Sequence, residues 1–295
     1  RRRATPSEQG AYWRSLRSAV SCSYPPVPPD VTSELPCLVR GPVKTDEILT
    51  SLSAKRAADP SDVLRYLNTE LTRRICVLDG NVAQILGQRN LPEAQYRGTL
   101  FADARVPLKG NEDVLCLTQP QIVQAIHREH LAAGADICFT NTYAAIALRQ
   151  ASYETQAHVY DMNRAAARLA KEATAEASSK DRVPRFVAGV LSPVRSAVSC
   201  ERGGSPGAAP SWDELVESYA EQVRGLADGG AELLVMPEVC DVLSAKAAMF
   251  AADRFFERVG RQRLPLMVSV LVDEVGRVPS GQSLAAFLVS IRHAR

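Results

Sequence analysis

Seven cysteines, at positions 22, 37, 76, 116, 138, 200 and 240, are the first candidates for metal or nucleophilic chemistry in this chain. Their number is odd, their spacing is wide and no Cys-x-x-Cys pair occurs, so neither a zinc ribbon nor a thioredoxin-type site is indicated. They read as reduced thiols, buried or half-buried, in an intracellular compartment. His127 and His130 stand three apart with Arg128 and Glu129 between them. That is not the His-Glu-x-x-His of a helical zinc site, and both are expected on a solvated helix face. The stretch Glu201-Arg-Gly-Gly-Ser-Pro-Gly207 is glycine-rich but has neither the P-loop lysine nor G-x-G-x-x-G, so it reads as a mobile surface loop. His293 falls in the last expected helix, near the chain end, and is not expected to be a catalyst.

Any such chemistry needs elements to position it. The chain has 295 residues, 46% of them apolar and 23% charged, which is ordinary for a globular protein. A formal net charge of +2 gives no overall electrostatic case for nucleic acid or an acidic membrane surface. The longest strongly apolar run, Leu264 to Val272, is interrupted by Pro265 and Ser269 and falls far short of the roughly 20 residues of a membrane helix.

Five short apolar runs predict buried strands: Ile75–Leu78, Asp136–Phe139, Phe186–Leu191, Glu232–Met236 and Leu266–Val272. Helical periods lie between and after them. Thr118 is placed to cap a helix with Ile122, Ile126 and Ala133 on its apolar side and Gly134 at its end. Val159, Met162, Ala166 and Leu169 mark the next helix. Ser211 and Glu214 form a capping box before Val216, Tyr219, Val223 and Leu226, with Gly229-Gly230 as the stop. Leu243, Ala247 and Phe250 mark a fourth helix; Leu284, Phe287, Leu288 and Ile291 mark a fifth. About five β-α units in sequence imply parallel strands joined by right-handed crossovers, either in an open doubly wound sheet or in part of a (β/α) barrel. In both, functional groups gather at the carboxyl ends of the strands: Asp79-Gly80-Asn81, Thr140-Asn141-Thr142, Ser192-Pro193, Pro237-Glu238 and Asp273. Cys138, Cys200 and Cys240 lie near these ends too. Strand alternation, however, turns Cys138 away from the side faced by Phe139 and Asn141, against a joint metal site.

Residues 1–70 read as a separate N-terminal arm, and 71–295 as the β-α body. The first twenty residues hold five arginines (Arg1, Arg2, Arg3, Arg14, Arg17) against one acid, Glu8. An Arg-rich, Ser-rich, acid-poor start resembles an organellar transit segment or its processed remnant, or else a solvated basic arm or a fragment cut from a longer gene product; a mitochondrial location is expected, otherwise a cytoplasmic one. The segment Tyr24-Pro-Pro-Val-Pro-Pro29 is stiff and extended. Short helices are expected over 46–52 and 60–71, the second capped by Ser61.

Several collinear segments resemble the homocysteine-binding domain of cobalamin-dependent methionine synthase and related homocysteine S-methyltransferases. They include Val77-Leu-Asp-Gly80, Leu108-Lys-Gly-Asn111, Leu117-Thr-Gln-Pro120, Ile126-His-Arg-Glu129, Ala132-Ala-Gly-Ala-Asp136, Thr140-Asn-Thr142, Val187-Ala-Gly-Val-Leu191 and Ser280-Gly-Gln282. The resemblance spans roughly residues 71–295 and implies a (β/α)₈ barrel, so the architecture expected here is an incomplete TIM-type barrel of about five units behind an N-terminal extension.

The family's reaction is methyl transfer to a zinc-bound homocysteine thiolate; zinc keeps the sulfur deprotonated and therefore nucleophilic at neutral pH. The resemblance implies zinc ligands consisting of one cysteine after the sixth strand and an adjacent pair near the end of the eighth, regions beyond the five units read here. It also implies substrate-pocket positions at Asp79, Gly80, Asn141 and Glu238. Four positions depart from the pattern: Ala83 and Ser192 replace glycines, Phe139 replaces a glutamate, and Pro237-Glu238 replaces Glu-Thr. Glu238 would compensate for Pro237 only through a one-residue shift of the strand, which ordinarily reverses side-chain direction.

No catalytic residue, no metal ligand and no cofactor of the chain's own is therefore expected. The expected role is non-catalytic: an accessory subunit whose open barrel edges are covered by the N-terminal arm and by other protein subunits. The alternative is one part of a split zinc-dependent homocysteine S-methyltransferase whose zinc cysteines lie on another polypeptide.

Overall fold

The computed structural model describes residues 59–194 and 210–292. The arginine-rich start, the proline-rich stretch, the helix expected over 46–52, the Glu201–Gly207 loop, Cys22, Cys37, Cys200 and His293 lie outside the described residues.

Helix α1 (Pro60–Leu71) begins with proline in its first turn, where a missing N–H costs nothing. Its cap is Asp59, whose side chain accepts the Ser61 N–H, rather than Ser61 itself. Helix α2 (Val82–Gln88) follows the first turn, and α3 (Pro120–Ala132) again starts on proline. No side chain caps α3: Thr118 closes the short helix Leu115–Thr118, because Pro120 takes the first helical position and leaves Gln119 at the cap. Strand β1 (Ile137–Phe139) leads to α4 (Val159–Asp181), β2 (Phe186–Val190) to α5 (Trp212–Gly229), β3 (Leu233–Val239) to α6 (Val242–Arg258), and β4 (Leu266–Val270) to α7 (Leu284–Ile291). The α5 capping box is formed, and Gly230 ends that helix at φ 99°, a left-handed turn that glycine adopts freely.

The four strands are parallel and lie in the order β1-β2-β3-β4. A doubly wound sheet reverses its strand order at a switch point. A run of sequential neighbours is instead consistent with a partial TIM-type barrel. The first expected strand is reduced to a single parallel bridge, Leu78 to Ile137. Ile75 is 85% exposed there, Val77 49% and Leu78 42%, so the expectation of a buried strand is overturned. The segment lies at the sheet's edge, and only its β1 side is paired among the described residues.

Alternation separates two faces. Val187, Leu191, Leu234 and Met236 pack on the helix layer with Tyr219, Val223, Leu226, Ala248 and Phe255. On the opposite face Ile137, Phe186, Ala188, Val190, Leu233 and Val235 form a cluster with Val63 and Leu67 of α1. Val63 and Leu67, two fully or nearly buried apolar residues four apart on one helix face, cover this inner face. Charged pairs fix the amino ends of the strands. Arg74 grips Asp136 with two bonds of 2.8 and 2.9 Å, and the buried Lys171 reaches Glu232 at 2.8 Å.

Helix α6 forms as expected but turns differently. Leu243 and Phe250 are exposed, and a seam of Ala245, Ala248, Ala251 and Ala252 with Phe255 faces the core. Small side chains let α6 lie close to its neighbours, and Phe250 finds Trp212 at the surface, ring centroids 5.8 Å apart.

Candidate functional site

The carboxyl ends of the strands open into a cleft of about 200 Å³. Asp79, Gly80, Ala83, Phe139, Asn141, Pro237 and Glu238 all line it, so seven of the eight positions singled out from the sequence converge on one place. Ser192 does not. It is fully buried behind the strand ends, where its N–H donates to Gln222 Oε1 at 3.0 Å and its hydroxyl accepts from Gln222 Nε2 at 3.1 Å.

The first turn assigns each residue a separate task. Asp79 Oδ1 accepts the Phe139 N–H at 2.9 Å, which ties the turn to β1. Asn81 caps α2 by accepting the Gln84 N–H. A Cβ on Gly80 would come within 3.2 Å of His130 Nε2, so this glycine lets α3 approach.

The β1 end is held from behind. Thr142 donates to Val190 O at 2.8 Å, and Thr140 Oγ1 accepts the Val190 N–H at 2.9 Å. Asn141 is nearly buried, and its amide donates to Glu112 O at 2.8 Å. Its side chain anchors a neighbouring turn as well as walling the cleft. Asp113 accepts the Ala144 N–H just beyond, and burial raises its pKa to about 7.

At the third strand a bulge falls at Pro237-Glu238. The pairing of β3 with β4 runs Met236 to Val268 and then Val239 to Val270, so β3 spends one extra residue there. Glu238 takes φ 52°, unusual for a residue with a side chain, and lines the cleft together with Pro237. Its carboxylate accepts the Tyr143 hydroxyl at 2.5 Å. The bulge gives β3 one extra residue at this point, and Glu238 lines the cleft beside Pro237. Sequence reasoning missed Tyr143, although it directly follows the Thr140-Asn141-Thr142 segment.

Among the cleft-lining residues there is no cysteine and no histidine. The oxygen donors there do not fit a zinc-thiolate centre. Cys240 is buried beside the cleft's rim, its thiol directed to Glu238 O at 3.2 Å. Cys116 is buried as well, and desolvation pushes its pKa up to about 12.

Behind the cleft the two histidines are not on a solvated face. His127 is 0% exposed. It lies midway between Val123 and Leu131, four residues from each, and all three are buried; that spacing was the signal available in the sequence. His127 Nδ1 is 3.9 Å and His130 Nδ1 3.6 Å from Asp79 Oδ2. Cys138 points outward, as alternation requires, into a small buried cluster with Leu131 and Ala173. Burial, followed by the neighbouring Asp79 carboxylate, pushes its thiol pKa up. One donor atom from each of Asp79, His127 and Cys138 lies within 4.8 Å of the others, the sole such group among the described residues.

Comparison with known proteins matches residues 76–295 to the homocysteine S-methyltransferase family model. Three crystal structures of the homocysteine methyltransferase MmuM from Escherichia coli share the fold. The metallated form aligns with a TM-score of 0.58 at 17% identity, covering 77% of this chain and 73% of that one. The oxidised form gives 0.57 at 17%, covering 76% and 72%, and the apo form 0.52 at 18%, covering 75% and 69%.

Proposed function

Since this chain belongs to the homocysteine S-methyltransferase family, we propose that it serves as a non-catalytic, accessory subunit of a larger mitochondrial protein assembly, its partial barrel flanked by other protein subunits. The cleft carries the non-catalytic part of this reading. An amino-acid substrate needs an anionic group for its ammonium and a metal or base for its sulfur. Asp79 spends one oxygen on the Phe139 N–H and buries the other. Phe139 stands where the family resemblance implies a carboxylate. Glu238 is left, already engaged by Tyr143.

The flanks support the partner reading. Ile75 and Val77 at one edge, and Val275, Leu288 and Val289 at the other, are large apolar side chains between 49% and 85% exposed. The composition of residues 1–20 supports the mitochondrial placement.

One observation favours a second reading, a split zinc-dependent methyltransferase: the bulge at Pro237-Glu238 delivers a carboxylate to the cleft. Calorimetry with homocysteine, with and without zinc, and turnover with a methyl donor separate the two in the natively purified assembly. Neither binding nor turnover is expected, and crosslinkers placed at positions 75 and 275 should capture other protein chains. Turnover that depends on a partner's cysteines would establish the split enzyme. A native monomer imported into no organelle would overturn the accessory reading.

A further inference from the structure

Asp79 Oδ2, both ring nitrogens of His127 and His130 Nδ1 are buried close together without a hydrogen-bond partner. Leaving such atoms unpaired in a protein interior is destabilising, because each has given up its bonds to water and gained none in return. A group that satisfies several of them at once therefore has a large advantage. The donors come from three elements: Asp79 from the first turn, His127 from α3 and Cys138 from β1.

We propose that Asp79, His127 and Cys138 bind one divalent cation of the zinc class. The donor set is one carboxylate oxygen, one imidazole nitrogen and one thiolate, the mixture of borderline and soft ligands that zinc prefers over magnesium or calcium. Tetrahedral zinc with bonds of about 2.0–2.3 Å sets its ligands roughly 3.3–3.8 Å apart. The 3.9 Å between His127 Nδ1 and Asp79 Oδ2 is close to that spacing, and the three donors, within 4.8 Å of one another, would contract by up to about 1 Å on binding. Carboxylate and thiolate together offset the cation's double charge, so a neutral unit is buried rather than a bare ion. On binding, the Cys138 thiol releases its proton to solvent and the sulfur–metal bond forms, with no change of oxidation state. Asp79 Oδ1 is already fixed by the Phe139 N–H, as ligating carboxylates commonly are. His130 Nδ1 lies 3.6 Å from the same carboxylate oxygen but outside the three-donor group, which leaves the fourth position to a water.

His127 and Cys138 do not line the cleft, so this centre staples α3 to β1 whether or not the cleft is active. The test uses the full chain, stripped with chelator and then titrated with Zn²⁺ or Co²⁺. One tightly held equivalent is expected, with an upward shift of Tm and, for cobalt, a thiolate-to-metal charge-transfer band. Cys138→Ser, Cys138→Ala and His127→Gln should each abolish the band and the Tm shift, and Cys76→Ser and Cys240→Ser should keep both. Wild-type protein lacking the band and the shift would overturn the proposal, even if every variant failed to fold. So would a band that survives in His127→Gln or in either Cys138 variant.

Discussion

The centre of the sheet and its two flanks are built from the same kind of sequence and end in opposite environments. All five residues of β2 are buried, as are the first four of β3. None of β4 is fully buried, and the Ile75–Leu78 segment is largely exposed. Each is a short run rich in Val, Ile and Leu. The difference is one of neighbours: β2 and β3 have a strand on each side, the α4–α6 layer on one face and α1 near the other, whereas among the described residues the flanks have a strand on one side only. An apolar run thus states a demand for cover, and the fold determines whether the chain itself meets it.

Substitutions grade this contrast. The largest effect is expected at Gly229, where α5 crosses α4. A Cβ there would sit 2.5 Å from Arg164 O and 2.6 Å from the Ala167 Cβ, both on a packed helix that cannot yield. Gly229→Val should lower stability by about 3 kcal/mol or more, read from the urea midpoint. Leu67→Ala, on α1, should cost about 2–4 kcal/mol by the same measurement. A loss under about 0.5 kcal/mol would mean that α1 does not cover the inner face. At the flank, Ile75→Ser should change the stability of the isolated chain by no more than about 0.5 kcal/mol, yet reduce recovery of partner chains in pull-downs. A destabilisation matching that of Leu67→Ala would erase the distinction between centre and edge.

Much of the framework was legible. The capping box at Ser211 and Glu214, the glycine stop after α5 and the four strands follow from local rules, because caps and turns draw on partners within a few residues. The strand-end residues were legible as a group for the same reason: in parallel α/β folds all carboxyl ends share one side. What failed depended on contacts between elements. Leu243 and Phe250 looked like the buried stripe of α6, but a seam of alanines packs closer and took that role. His127 looked solvated because its apolar neighbours were counted without it. Ser192 belongs to a buried polar lattice whose key member, Gln222, lies 30 residues away on α5.

The sequence by itself determined the order of strands and helices and the presence of Asp79, Asn141 and Glu238 at strand ends, since period and turn chemistry are properties of a few consecutive residues. Only the tertiary structure decided that a bulge swings Glu238 into the cleft and that Asp79, His127 and Cys138 meet behind it. Those arrangements join residues 59 positions apart at Asp79 and Cys138 and 95 apart at Tyr143 and Glu238, and their geometry depends on how strands pair and helices dock, which no local pattern encodes.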